Sequence, residues 1–172
     1  GTPGVKVEIT GADGNATNLG DIVADAGRIG IAGVMVRNSG TLNASSVVSE
    51  GGRVFLKASQ DAYVDGAGRI VTTGTKGGSV EVLGNRVAVM DSASIDASGT
   101  GDGGSIKVGG DYQGKNPDVQ NATATYFGPD ASLKADAGSV GAGGTVIVWA
   151  DDTTRAYGSI SARGGATGGD GG

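Results

Sequence analysis

A double glycine followed by an alternating apolar segment recurs along this chain: GGRVFLKA from Gly51, GGSVEVLG from Gly77, GGSIKVGG from Gly103 and GGTVIVWA from Gly143. A further pair, Gly171 and Gly172, closes the sequence. Successive pairs lie 26, 26, 40 and 28 residues apart, so one interval carries an insertion. Self-similarity at a fixed period marks a stacked repeat and excludes most globular alternatives.

Each unit carries a second short strand signal: TLNA at Thr41, RIVT at Arg69, SIDA at Ser94, SLKA at Ser132 and SISA at Ser159. Their positions place the insertion between Val108 and Ser132, as an inserted loop at about 109–131. Extended pieces QDAYVDG (Gln60 to Gly66) and NRVAVMD (Asn85 to Asp91) lie between the two strand types. A weaker unit starts at Gly27, and VKVEIT (Val5 to Thr10) alternates like another strand. Gly, Asn, Asp and Ser separate the strands, as tight turns require. Apolar spacing is two throughout, which predicts strands and no helix.

A unit of two or three short strands has no partner for its own apolar face. Coils stacked at about 4.8 Å supply one, with Val over Val and Ile over Ile. The expected fold is all-β, a single-stranded parallel β-helix of about six coils of about 26 residues, forming one segment over 1–172. Alternation points Val54, Leu56, Val80, Val82, Ile106, Val108, Val146 and Val148 inward, and Lys57, Glu81 and Lys107 outward. The paired glycines are read as sharp corners where a missing Cβ lets one coil pass under the next. The GTGDGG and GATGGDGG runs lack the tandem nine-residue spacing of a calcium-binding β-roll.

Composition narrows the function. Net charge is −5 with basic residues scattered, which disfavours nucleic acid as a partner. No apolar run approaches the length of a membrane helix. With neither His nor Cys, Ser-His-Asp, Cys-His and typical zinc chemistries have no residues to use, and no cofactor is expected. The sequence begins at Gly1 without a leader, so the segment is expected to be part of a longer β-helical protein.

The run GGSIKVGGDYQGKNPDVQNATATYFGPDASLKADAGSVGAGGTVIVWADDTTRAYGSISARGGATGGDGG resembles the β-helical repeat region of filamentous-haemagglutinin-like exoproteins of two-partner secretion. GGDYQG, TYFGPDA, GGTVIVWADDTTRAYGSISARGG and the final GGDGG carry the likeness, and GGRVFLKASQDA and GTLNASSVV resemble its preceding coils. The secretion domain near that family's N-terminus is not recognisable here. The resemblance implies a right-handed β-helix in a secreted, cell-surface bacterial adhesin active in attachment, biofilm or filament formation. It implies an outer-membrane transporter as export partner, and contacts with host-cell or bacterial surface glycans or proteins. End-to-end self-association of coils into filaments is a further expectation, since an uncapped β-helix end invites pairing.

The rival function is a polysaccharide lyase or hydrolase, because such enzymes also use parallel β-helices. Asp151, Asp152 and Arg155 are the best candidate cluster, yet adjacent coils carry no matching second cluster. A turn, with Asp and Thr side chains capping backbone amides, is the preferred reading of DDTT, and the chain is not expected to be an enzyme. Trp149 ends a strand pointing outward and, with Tyr112, Tyr126 and Phe127 of the insertion, forms the candidate ligand or glycan contact set. Asn15, Asn43 and Asn121 head Asn-Ala-Ser/Thr triplets and are candidate N-glycosylation sites.

Overall fold

The computed structural model describes residues 6–172. Gly1 to Val5, and with them the first residue of the expected VKVEIT strand, lie outside the described residues. Lys6 to Thr10 opens the first strand, as its alternation predicts.

The chain is a parallel β-helix whose coils each contribute to three faces. In the first three coils, one long strand bends to serve two faces: β1 (Lys6–Asn18), β3 (Arg28–Asn38) and β5 (Arg53–Val64). Register shifts between Gly11 and Asn15 and between Gly33 and Met35 mark the bend. In later coils the strand divides, giving β7 (Ser79–Leu83) and β8 (Arg86–Val89), β10 (Ser105–Val108) and β11 (Ala124–Phe127), β13 (Thr145–Val148) and β14 (Thr153–Ala156). The nine-stranded sheet therefore forks at β5, one arm running β5-β7-β10-β13 and the other β5-β8-β11-β14. The third face stacks β2 (Asp21–Val23), β4 (Thr41–Asn43), β6 (Arg69–Val71), β9 (Ser94–Asp96), β12 (Ser132–Lys134) and β15 (Ser159–Ser161). The only helical element among the described residues is a short 3-10 turn, Tyr112–Gly114.

Ladders of aliphatic side chains run into the interior from the faces, two of them from the first. Ile29, Val54, Val80, Ile106 and Val146 stand in register on the first face. Ile22, Leu42, Ile70, Ile95, Leu133 and Ile160 do so on the third. Val54, Leu56, Val80, Val82, Ile106 and Val108 are buried as alternation requires, while Val146 and Val148 pack against the core from the more open last coil. On the second face the innermost column begins as asparagine, with Asn18 Nδ2 donating to Asn38 Oδ1 at 2.8 Å. It then turns apolar through Val64, Val89 and Phe127. Asn38 is fully buried because its own amide also reaches the Gly40 carbonyl, so the polar group is satisfied.

The double glycines are dictated by contact with backbone. A Cβ on Gly77 would overlap the Ala97 carbonyl and the Gly104 amide, and one on Gly78 would overlap the Gly52 carbonyl of the coil below. Gly103 and Gly104 repeat the pattern one coil on. The same amides are used structurally: Gly78 N donates to Thr72 O at 2.7 Å and Gly104 N to Ala97 O at 2.8 Å. The coil turns there because no side chain stands between two layers of backbone.

Two sequence boundaries are corrected by the ladders. The excursion expected at 109–131 is shorter, because Ala124–Phe127 pairs in parallel register with β8 and β14 as a regular strand. The chain leaves the stack at Gly109 and rejoins it after Thr123. Likewise the turn expected over DDTT is confined to Asp151 and Asp152, since Thr153–Ala156 forms β14. Neither stretch shows an aliphatic alternation: β11 buries Thr125 and Phe127, and β14 of the last coil, with Thr154 and Ala156 in register with them, is exposed along its length.

Candidate functional site

Functional side chains belong on the outward positions of this stack, and one face concentrates them. On the second face, register places Arg37, Tyr63, Ala88, Tyr126 and Arg155 in a single outward column across β3, β5, β8, β11 and β14. The neighbouring outward column reads Asp61, Arg86, Ala124 and Thr153. Tyr157 follows β14, its ring centroid 6.1 Å from that of Tyr126 at an interplanar angle of 59°. Three of the chain's four tyrosines thus meet on one side of the rod.

Ala88 lies between Tyr63 and Tyr126, and its small side chain leaves a trough of about 430 Å³. Val87, Ala88 and Ala124 line it, with Arg86, Thr153 and Arg155 at the rim. The Arg86 guanidinium grips Asp61 in a two-point pair, Nε to Oδ1 at 2.6 Å and Nη2 to Oδ2 at 2.7 Å. That hydrogen bond holds the Asp61 carboxyl below its ordinary range, while burial and the nearby Asp61 charge push the Tyr63 hydroxyl up. Arg37 is likewise committed, its Nε 2.8 Å from Asp65 Oδ2. Arg155 has no ion-pair partner among the described residues.

The insertion is built around Trp149. Trp149 N joins the ladder by donating to Val108 O at 2.9 Å, and its indole Nε1 donates to Asp151 Oδ1 at 2.9 Å. The outgoing limb of the insertion lies so close to the ring that a Cβ on Gly110 would sit 2.8 Å from Trp149 Cδ1, and one on Gly114 2.9 Å from Nε1. Gly114 also has φ +63, so two independent reasons favour glycine there. Asp111 ties the insertion's base to the stack: its Oδ2 accepts from Lys107 Nζ at 2.6 Å and from Asn116 Nδ2 at 2.7 Å. Those hydrogen bonds, Lys107's first, lower its pKa to about 2.

The residues expected from sequence therefore separate. Trp149 is half-buried as a cover beside the corner, Tyr112 is exposed on the insertion, and Tyr126 is partly exposed on the tyrosine face. Phe127 is a correction: with Tyr126 outward, alternation drives Phe127 into the core, where it is fully buried and has no surface for a ligand. Asp151 is engaged by the indole, while Arg155 stands opposite Tyr126 on β14, so the acidic pair and the arginine do not converge. Among the triplet asparagines, Asn15 is exposed on β1. Asn43 Oδ1 accepts from the Ser45 amide at 2.9 Å, and Asn121 Nδ2 donates to Gly114 O at 2.9 Å.

Tyr63, Ala88 and Tyr157 were not singled out by sequence. The signal was available: QDAYVDG, NRVAVMD, ATYFGPD and TTRAYGS hold Tyr63, Ala88, Tyr126 and Arg155 at one register position. Finding it requires knowing that β11 and β14 are strands.

No protein-family model matches the chain, and no curated protein sequence does. Among solved structures it is similar to the HMW1 secretion domain from Haemophilus influenzae, with a TM-score of 0.79 and 33% identity over 90% of this chain. The match spans 42% of that domain's length. The neighbour is a secretion domain, whereas the sequence motifs pointed to a repeat region. The chain is related to two-partner secretion exoproteins, and its parallel β-helix is shared with one.

Proposed function

We propose that this chain is a rigid β-helical segment of a secreted bacterial exoprotein. It leaves the cell with the help of an outer-membrane transporter and holds a binding face away from the cell surface for attachment. The observation that supports this reading most is the likeness to a secretion domain at 33% identity. The unbroken parallel ladders of three faces supply the stiffness such a rod needs. Its role is non-enzymatic: the Asp151 carboxylate is engaged by the Trp149 indole and Asp111 by Lys107, so these groups are spent on the fold.

Beads coated with the purified chain test the attachment role on cultured epithelial layers and on bacterial biofilm. Retention several-fold above beads carrying an unrelated β-helix is the expected result, and equal retention on both surfaces reduces the chain to a passive stalk. Export is tested by co-producing the parent exoprotein with and without its transporter, where surface display in both strains removes the two-partner reading. End-to-end association, the remaining expectation, predicts rods longer than one chain by mass photometry.

A further inference from the structure

We infer that the Tyr63–Ala88–Tyr126 trough is a glycan subsite that takes a uronate unit of an acidic polysaccharide. This deepens the attachment reading by giving it a ligand class. It rests on geometry that does not depend on how the chain is exported.

Three features of the trough set the chemistry of its occupant. The first is the pair of aromatic walls. Tyr63 and Tyr126 rise from strands two spacings apart, about 9.6 Å, with Ala88 as floor. That gap admits a saturated ring between two aromatic side chains, whose amphipathic rings present an apolar face and a polar tip. Tyr157 extends the platform beyond Tyr126.

The second feature is the Asp61–Arg86 pair at the rim. Its two hydrogen bonds neutralise both charges, and while the Asp61 carboxylate also takes the Tyr63 hydroxyl, Arg86 keeps N–H donors for adjacent hydroxyls. The third is Arg155. In a chain of net charge −5, this guanidinium lines the trough from β14, the strand beyond Tyr126, with no carboxylate to answer it among the described residues. A guanidinium binds a carboxylate by two parallel hydrogen bonds, and a ligand carboxylate completes it.

The walls stand on the strands either side of β8, and the Asp61–Arg86 pair borders the furrow two residues before Tyr63 and Ala88. An internal sugar of a chain can lie across it. Uronates are internal, carboxylated and ring-shaped, and meet every requirement at once.

Calorimetric titration of the purified chain with trigalacturonate, with sialyllactose and with neutral maltotriose tests the assignment. Trigalacturonate is expected to bind at least about tenfold more tightly than maltotriose, a difference of about 1.4 kcal/mol. Tyr126→Ala and Arg155→Gln are each expected to weaken trigalacturonate binding about tenfold, whereas Tyr112→Ala on the insertion leaves it unchanged. The altered side chains point outward, and equal thermal midpoints confirm an intact fold. Four results overturn the proposal: no trigalacturonate binding at millimolar concentration, equal affinity for maltotriose, variants that bind like the parent, or binding of sialyllactose alone. A chain that dimerises, and loses the dimer on Tyr126→Ala, identifies a second copy as the occupant instead.

Discussion

At the double-glycine corner a single methyl group has nowhere to go, whereas between β10 and β11 the chain leaves the stack at Gly109 and rejoins it in register at Ala124. Both places are turns between strands of one coil. They differ in what the turn faces. At Gly77 and Gly78 the Cα hydrogens meet the backbone of neighbouring coils, so any side chain forces two layers apart. At the other corner the coil before manages with Gly84 and Asn85 alone, where backbone lies 3.1 Å from the place of a Gly84 Cβ against 1.8 Å at Gly77, and the same site in the next coil accommodates a loop. A β-helix is thus intolerant where backbone meets backbone and permissive where a turn meets solvent.

The comparison can be broken most severely at the glycines. Gly77→Val is expected to destabilise the chain by upwards of about 4 kcal/mol, since backbone must yield in adjacent coils. Denaturant unfolding that shows a loss below about 1 kcal/mol disproves the account of the corner. Phe127→Ala comes next, at about 3 kcal/mol. That is the lower end for a buried phenylalanine, because the small Ala156 above it leaves room for collapse. The same unfolding measurement ranks the two.

Replacing Gly109–Thr123 by the Gly-Asn pair that joins β7 to β8 is expected to change stability by no more than about 2 kcal/mol, because the shortening spans roughly three doublings of loop length at about 0.6 kcal/mol each. Trp149 fluorescence is expected to shift to the red as its cover is removed. An unchanged emission maximum means that the insertion does not shield the indole.

The smallest effect is acid release of the insertion. Asp111 has a folded-state pKa of about 2 against an ordinary 3.8, so its contribution is full above the ordinary value and is lost as pH falls from there towards 2. Amides of 111–121 are expected to lose hydrogen-exchange protection between pH 4 and 2 before those of β7 and β10 do. Simultaneous loss places the Lys107–Asp111 bond in the stack rather than in the loop.

Much of the architecture was legible because repetition is visible in one dimension. The GG spacing located the corners, and period-two alternation chose the inward valines correctly in every middle coil. The reading weakened where inward positions stopped being aliphatic. The register positions that continue buried Val87 and Val89 are Thr125 and Phe127 in β11 and Thr154 and Ala156 in the exposed β14, so these strands lack an aliphatic alternation and read as loop, with Phe127 read as surface. The candidate site suffered for the same reason, since its tyrosine column is visible only once those strands are in register with β8. Trp149 drew attention as the sole tryptophan, yet its indole is engaged by Asp151 and covered by the insertion.

The sequence by itself determined a stack: its period, its glycine corners and the ladders of Val, Ile and Leu follow from local backbone constraint and alternation. Only the tertiary structure decided which outward residues are neighbours. Residues 25 or more positions apart in the chain, such as Tyr63 and Ala88, become adjacent because parallel coils lie about 4.8 Å apart. That adjacency is set by register between coils, and the insertion shifts it in a way no single unit of sequence records.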